Sequence, residues 1–302
     1  MEFERRFASE EACRAYLVQR RWPEGVRCFR CQSPSVWSTA RGLYHCPFCS
    51  FQTSVLAGTI FQDTKQSLRL WFRAMWYVTN QKAGISALGL QRALGLGSYQ
   101  TAWSWLQKLR TAMVRPGRER LTEDVEVDEI YVGGVAPERR GGRQRTPTTA
   151  LVAVAAEVRE RGIGRIRLQR IPNASGESLV GFVREAVEPG AVIRTDGWTA
   201  YPGLARYGYT HRPRVIRGSG QTASTLLPRV HRVAALLKRW LLGTHQGRVS
   251  QTHLGRYLDE FTFRFNRRTS RWRGKLFYRL VQQAVQVPPI RPRTARRATV
   301  PA

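Results

Sequence analysis

Four cysteines in two close pairs constrain this chain more than any other feature. They stand as Cys28-Phe29-Arg30-Cys31, fourteen residues, then Cys46-Pro47-Phe48-Cys49. Two residues between partners let both sulfurs point at one ion, and two such pairs can wrap a tetrahedral Zn²⁺ with four thiolates. The bland alternative is a pair of disulfides or redox pairs. The start, Met1-Glu2-Phe3-Glu4-Arg5-Arg6-Phe7, has no apolar leader of a secreted chain, and disulfides are rare in chains that stay inside the cell. A structural Zn²⁺ ribbon is the expectation. A closed four-thiolate site stabilises a fold and leaves no open position for chemistry, so the ribbon reads as a recognition or assembly module. Cys13 stands apart and reads as a buried apolar residue.

The chain carries 50 Lys+Arg against 21 Asp+Glu, a formal net charge of +29. Codon bias can explain why 45 of the 50 are Arg, but not why acids are scarce. A surplus of this size attracts polyanions through counterion release, and nucleic acid is the expected partner. No run of about 18 apolar residues is present, so no membrane partner is expected. The 302 residues suggest about two domains.

From Thr64 to Met113 the apolar spacing is helical. One helix opens at Ser67, a second runs from Ile85 to Leu94, and Ser98 caps a third. A short helix, a turn holding Gly95 and Gly97, and a polar, basic helix make a helix-turn-helix pattern. Ser98, Tyr99, Gln100, Lys108 and Arg110 are its candidate DNA contacts. Pro116 and Gly117 mark a boundary.

Beyond it, strands are expected over 124–134, 150–156, 164–171 and 191–197, with helices over 175–187, 228–242, 250–266 and 275–285. The order β, β, β, α, β, then helices implies a mixed α/β sheet. The domains expected are a zinc ribbon with an N-terminal arm (1–62), a helical DNA-binding segment (63–115), a catalytic domain (120–286) and a basic disordered tail (287–302). Asp128 sits within the first of these strands, and Asp196 ends the fourth. Carboxylates from adjacent strand ends can hold divalent metal for phosphodiester displacement. Their bland alternatives are a solvated edge-strand acid for Asp128 and a turn former before Gly197 for Asp196.

The stretches Val127-Asp128-Glu129-Ile130-Tyr131-Val132-Gly133-Gly134 and Thr195-Asp196-Gly197-Trp198 extend the pattern begun by the cysteines. So do Leu237-Lys238-Arg239-Trp240-Leu241-Leu242-Gly243-Thr244-His245 and Tyr257-Leu258-Asp259-Glu260-Phe261-Thr262-Phe263-Arg264-Phe265-Asn266-Arg267-Arg268. Together they resemble the DDE-type insertion-sequence transposases, in their zinc-ribbon, ISXO-like group. The resemblance implies an α/β, ribonuclease-H-like catalytic domain preceded by a zinc ribbon and a helix-turn-helix-like segment. It implies metal-dependent cleavage of double-stranded DNA at element ends, then strand transfer into a target. It carries Asp128 and Asp196 over as the first two catalytic aspartates, with Mg²⁺ or Mn²⁺ as the catalytic ion.

The third ligand of the family, usually Glu and sometimes Asn, falls on His231, with 34 residues between it and Asp196. A neutral His can ligate, but it is softer than a carboxylate and suits Mn²⁺ better than Mg²⁺. Lys238 lies two helical turns on, on the same face, and matches the family's basic partner of the acidic set. Arg239, Arg264, Arg267 and Arg268 are candidate backbone contacts. Holding two DNA ends implies a homo-oligomer in the cytoplasm beside the nucleoid, with no small-molecule substrate. The rival expectations are a DNA-binding regulator on a decayed transposase scaffold and a metal nuclease acting on RNA.

Overall fold

The computed structural model describes residues 2–115, 117–133, 149–215, 220, 222–247, 249–272 and 274–290. The basic segment 139–145 and the tail from 291 onward lie outside the described residues. The chain divides into two compact units, one from Met1–Arg115 and the segment beginning at Ser270, the other from Pro116–Thr269.

The first unit opens with α1 (Glu2–Arg6) and α2 (Glu10–Arg21). The ribbon follows, with antiparallel β1 (Trp37–Ser38), β2 (Leu43–His45) and β3 (Gln52–Ser54). Then come α3 (Leu68–Asn80), α4 (Ala87–Leu94) and α5 (Tyr99–Ala112). A serine hydroxyl accepts a backbone N–H at the start of α2, α3, α4 and α5, from Ser9, Ser67, Ser86 and Ser98, as N-caps do. Glu10 adds a second cap from a distance, taking the N–H groups of Leu68 and Arg69 at 3.0 and 3.3 Å. The core is aromatic. Phe3, Phe7, Phe72 and Phe277 pack edge to face or tilted, and Trp71 stacks on Trp105 at 3.9 Å.

Phe277 belongs to the last helix among the described residues, which the expected catalytic domain of 120–286 had included. That helix packs instead on α2, α3 and α5 of the first unit. Its apolar face, with Leu276, Phe277, Leu280 and Val281 fully buried, meets the aromatic rings there. The ribbon and the helical segment, expected as separate domains, also fall in this one unit.

The second unit holds β4 (Asp124–Val132), β5 (Ala150–Val158), β6 (Ile163–Ile171), α6 (Gly176–Ala186), β7 (Val192–Thr195) and β8 (Thr210–Pro213). After them come α7 (Ala223–Leu226), α8 (Pro228–His245) and α9 (Gln251–Phe265), and the first unit's closing helix is α10 (Gly274–Ala284). The sheet order is β6-β5-β4-β7-β8. β4, β5 and β6 are antiparallel, while β7 runs parallel to β4 and β8 parallel to β7. This is the ribonuclease-H-like arrangement.

Alternation along β4 divides its side chains between two cores. Val125 and Val127 pack with Leu179, Phe182 and Val183 of α6. Ile130 and Val132 pack with Val233 and Leu237 of α8 and with Leu258 and Phe261 of α9. β5 is buried on both faces, as its unbroken apolar run implies. The α8 face of β4 also carries Glu126 and Asp128, and that places the candidate site.

Candidate functional site

The ribbon cysteines come together in space. Cys28 and Cys49 sulfurs lie 3.4 Å apart, those of Cys31 and Cys46 3.5 Å, and all four within 4.8 Å of one another. A tetrahedron of sulfurs about 2.3 Å from a Zn²⁺ has edges of roughly 3.8 Å, so this donor set fits such an ion. The two knuckles are built alike. Cys28 and Cys46 each accept an N–H four residues on, from Gln32 at 2.9 Å and Ser50 at 3.0 Å, and both donors take left-handed φ, 59° and 56°. The N–H of Cys31, with burial opposing and the Arg30 N–H helping, draws the Cys28 thiol down to about 6. Among the described residues this quartet is the cluster of three or more such donors drawn close enough to hold a metal.

The second candidate centre forms around β4. Because β4 is central in the sheet, Asp128 is not a solvated edge acid; it is 9% exposed. One carboxylate oxygen accepts the Glu129 N–H at 2.9 Å, and the other lies 3.6 Å from Nε2 of His231. That Nε2 is buried and makes no hydrogen bond among the described residues. Burial holds the His231 ring below its ordinary pKa against the pull of Glu126 and Asp196, and Lys238 lowers it further. The ring presents a nitrogen to a carboxylate, a donor geometry suited to a cation. The parallel β4–β7 ladder ends with Glu126 opposite Arg194, and Asp196 follows the end of β7; Asp128, Asp196 and His231 are not drawn together as the four cysteines are.

Asp196 accepts the Trp198 N–H at 3.0 Å in the turn after β7. Gly197 makes that turn at φ +85°, and a Cβ there would meet Val215 at 3.1 Å. The turn-forming role of Asp196 thus coexists with its place at a strand end.

Two residues of this site escaped the sequence-level expectation. Glu126, 1% exposed, accepts the N–H groups of Arg229 and Val230 at 2.7 and 3.1 Å and the Arg229 guanidinium at 3.0 Å. It is a carboxylate cap on the first turn of α8, and it seats His231 one residue further on against Asp128. Tyr201, fully buried, donates its hydroxyl to Glu129 at 3.1 Å. Burial first, then the charges of Glu129, Asp128 and Asp196, hold its pKa well above the ordinary value. Spacing of two on an alternating strand signals Glu126, whereas nothing local marks Tyr201. Glu126→Gln is expected to lower unfolding free energy by about 2 kcal/mol, the scale of a charge-assisted hydrogen bond. Urea titration of the full chain checks this, and an unchanged midpoint would remove Glu126 as the anchor.

The basic candidates separate into two sets. Lys238 and Arg239 are exposed on α8. Arg264 instead donates to buried Glu260 at 2.9 Å with its side chain 11% exposed. Arg267 donates to the Phe263 carbonyl at 3.1 Å and lies over that ring. Arg268 donates to the carbonyls of Ile163 and Gly164 beside the edge strand β6. Asn266 completes this clasp, exchanging two hydrogen bonds with Ile166 at 2.7 and 3.1 Å. Arg264 and Arg267 thus bond within α9, while Arg268, itself exposed, ties the end of α9 to β6. Arg110 is buried, 1% exposed. Lys108 is half-buried, its ammonium 5.8 Å from the Trp71 ring. Ser98, Tyr99 and Gln100 stand exposed where α5 begins, with the Ser98 hydroxyl occupied as N-cap.

Comparison with known proteins gives two family matches. Residues 120–266 match the ISXO2-like transposase domain, and residues 8–52 match the transposase zinc-ribbon domain. A curated relative from Halobacterium salinarum, described as an uncharacterized protein in transposable element ISH50, is 28% identical over 274 residues. The alignment covers 85% of this chain and 91% of the relative. Two solved structures are also similar. The intasome of simian T-cell lymphotropic virus with PP2A regulatory subunit B56 gamma has a TM-score of 0.34 at 13% identity, covering 62% of this chain and 70% of that one. A pre-cleavage Mos1 transpososome has 0.29 at 12% identity, covering 71% and 78%.

Proposed function

The chain belongs to the zinc-ribbon, ISXO2-like insertion-sequence transposases, and from that premise we propose that it binds the ends of its element and catalyses metal-dependent DNA cleavage and strand transfer. The observation that carries this is the buried Nε2 of His231, without a hydrogen bond among the described residues, facing the Asp128 carboxylate at 3.6 Å. A protein that only binds DNA gains little from carboxylates in a basic groove.

Asp128, Asp196 and His231 would hold Mg²⁺ or Mn²⁺, which when bound supplies Lewis-acid polarisation of a phosphodiester. Lys238, two turns along α8 from His231, holds a DNA phosphate beside them. Glu126 fixes the helix that brings His231 and Lys238 forward. The buried Tyr201 hydroxyl is bound to Glu129, and displacement by water at a metal-held phosphodiester would need no covalent protein–DNA link. Cys28, Cys31, Cys46 and Cys49 would hold a structural Zn²⁺. The exposed start of α5, with Tyr99 and Gln100, reads the duplex. Joining two ends calls for a homo-oligomer, working in the cytoplasm where the chromosome lies.

The test is cleavage of labelled duplex taken from the border of the coding sequence, in Mg²⁺ and in Mn²⁺. Specific nicking at the border supports the transposase. Tight binding with no cut in either ion supports instead the non-catalytic regulator, which His in place of a third carboxylate would favour. His231→Ala is expected to slow cleavage by at least roughly 100-fold, the loss of about 3 kcal/mol of transition-state stabilisation. His231→Glu is expected to restore cleavage and move the preference from Mn²⁺ toward Mg²⁺. Equal rates for wild type and His231→Ala would exclude His231 as a ligand.

A further inference from the structure

Beside the first knuckle of the ribbon lies a cavity of about 270 Å³ that the cysteines do not explain. Trp22 and Phe29 line it, their rings 6.0 Å apart and tilted by 58°. Arg21 lies over both, 4.9 Å from Trp22 and 5.4 Å from Phe29. It is held there by hydrogen bonds to the carbonyls of Val55 at 2.8 Å and Ser54 at 3.2 Å. Tyr44 braces Trp22 edge-on at 5.3 Å. Arg27, Glu24 and Gln32 bring polar groups to the rim, and Arg27 is exposed, with no ion pair among the described residues. Phe29 is 48% exposed.

We infer that this cavity receives one unpaired nucleobase of single-stranded DNA. The inference deepens the DNA-binding part of the proposed function and rests on it. Two arginines against one glutamate repel a cationic guest, so the rings are not a cage for an ammonium group. An inorganic anion would use the arginines and leave two aromatic faces idle. A nucleobase on its phosphate uses both, the ring stacking on Phe29 or Trp22 and the phosphate meeting Arg27. At the rim, Glu24 accepts from a base amine or imide and Gln32 can do either. The volume lies just below the usual range of about 300–1,000 Å³ for ligand pockets, which admits one ring system and not a segment of duplex. Bases in a duplex are already stacked and cannot enter, so the occupant is an unpaired base, as at an opened or cut DNA end.

The experiment uses the full-length, Zn²⁺-loaded protein and three labelled DNAs of equal length. They are a single strand, the same strand with central abasic sites, and a duplex, with Kd read by fluorescence anisotropy. The wild type is expected to bind the intact strand roughly tenfold more tightly than the abasic one, within the range for base–aromatic stacking. Phe29→Ala is expected to erase that difference and leave duplex affinity within about twofold. Phe29→Trp restores it. Phe48→Ala, which removes the 74%-exposed phenylalanine of the other knuckle outside the cavity, leaves it intact. Cobalt substitution of each variant verifies that the thiolate site is formed. Equal affinity of the wild type for intact and abasic strands overturns the inference, as does loss of duplex and single-strand binding in parallel in Phe29→Ala. Failure of the wild type to bind the duplex is a separate result that strikes the DNA-binding reading itself.

Discussion

Asp128→Asn is expected to lower the rate of metal-dependent cleavage by about 10³-fold or more, with duplex affinity held within about twofold. The substitution keeps the volume and keeps an amide oxygen to accept the Glu129 N–H now bonded to the carboxylate. It replaces the oxygen that lies 3.6 Å from His231 with an NH₂ group. A neutral imidazole nitrogen accepts a hydrogen bond from that amide, so the change leaves no cavity and no orphan. The backbone of β4 is paired on both sides, to β5 and to β7, and resists local rearrangement. The loss is thus confined to cation binding, and one acid fewer in a chain of net charge +29 does not weaken attraction to DNA. Single-turnover cleavage and anisotropy on the same preparation separate the two effects. Asp196→Asn should behave alike, since its carboxylate acts on the same ring. A residual rate within tenfold of wild type would place the chemistry elsewhere.

Removal of metal from the ribbon should have the larger structural effect. The three strands between Trp37 and Ser54 are only two or three residues long, and none of their residues is fully buried. They cannot supply the apolar burial that holds a fold of this size. A structural Zn²⁺ contributes about 10–16 kcal/mol in small thiolate sites, as much as the whole stability of an ordinary domain. Cys46→Ser, or a strong chelator, is therefore expected to unfold the ribbon and abolish end binding while the ribonuclease-H-like unit stays folded. Hydrogen exchange would show this as full loss of amide protection across residues 28–54 beside retained protection in β4 and β5. Cys13→Ser, a buried thiol far from the quartet in sequence, should cost only the burial of a hydroxyl and leave the ribbon metal-bound. Retained protection in Cys46→Ser would show that the ribbon stands without its ion.

What could be read from the sequence follows from how local each cause is. Two residues between cysteines is a chemical spacing that needs no fold to interpret. β4, β5 and β6 announced themselves by alternation or by an unbroken apolar run. β8 did not: Thr210-His211-Arg212-Pro213 is polar and mostly exposed, and it is a strand only because β7 offers it a parallel edge. Asp128 and Asp196 stand out because acids are scarce in this chain, one within a strand and the other just past a strand's end. The bonds of the arginines were not legible, since a guanidinium bound within the protein and one facing solvent look alike in one dimension. Arg110 is the exception in one respect, since the signal for its burial was present. It stands four residues after Leu106 and next to Leu109, on the buried side of α5. The place of α10 was hidden for a different reason. Its apolar face is plain, but which core that face joins depends on contacts some 200 residues back, with α2 and α3.

That return of α10 sets an order of events at the ribosome. The aromatic core of the first unit lacks Phe277 until α10 has been made, some 160 residues after α5. At about 5–20 residues per second, some 10–30 s pass between the emergence of α5 and that of α10. The whole ribonuclease-H-like unit is synthesised within that interval. A chain cut short between α9 and α10 therefore carries Asp128, Asp196 and His231 on a complete second unit beside an unfinished first one.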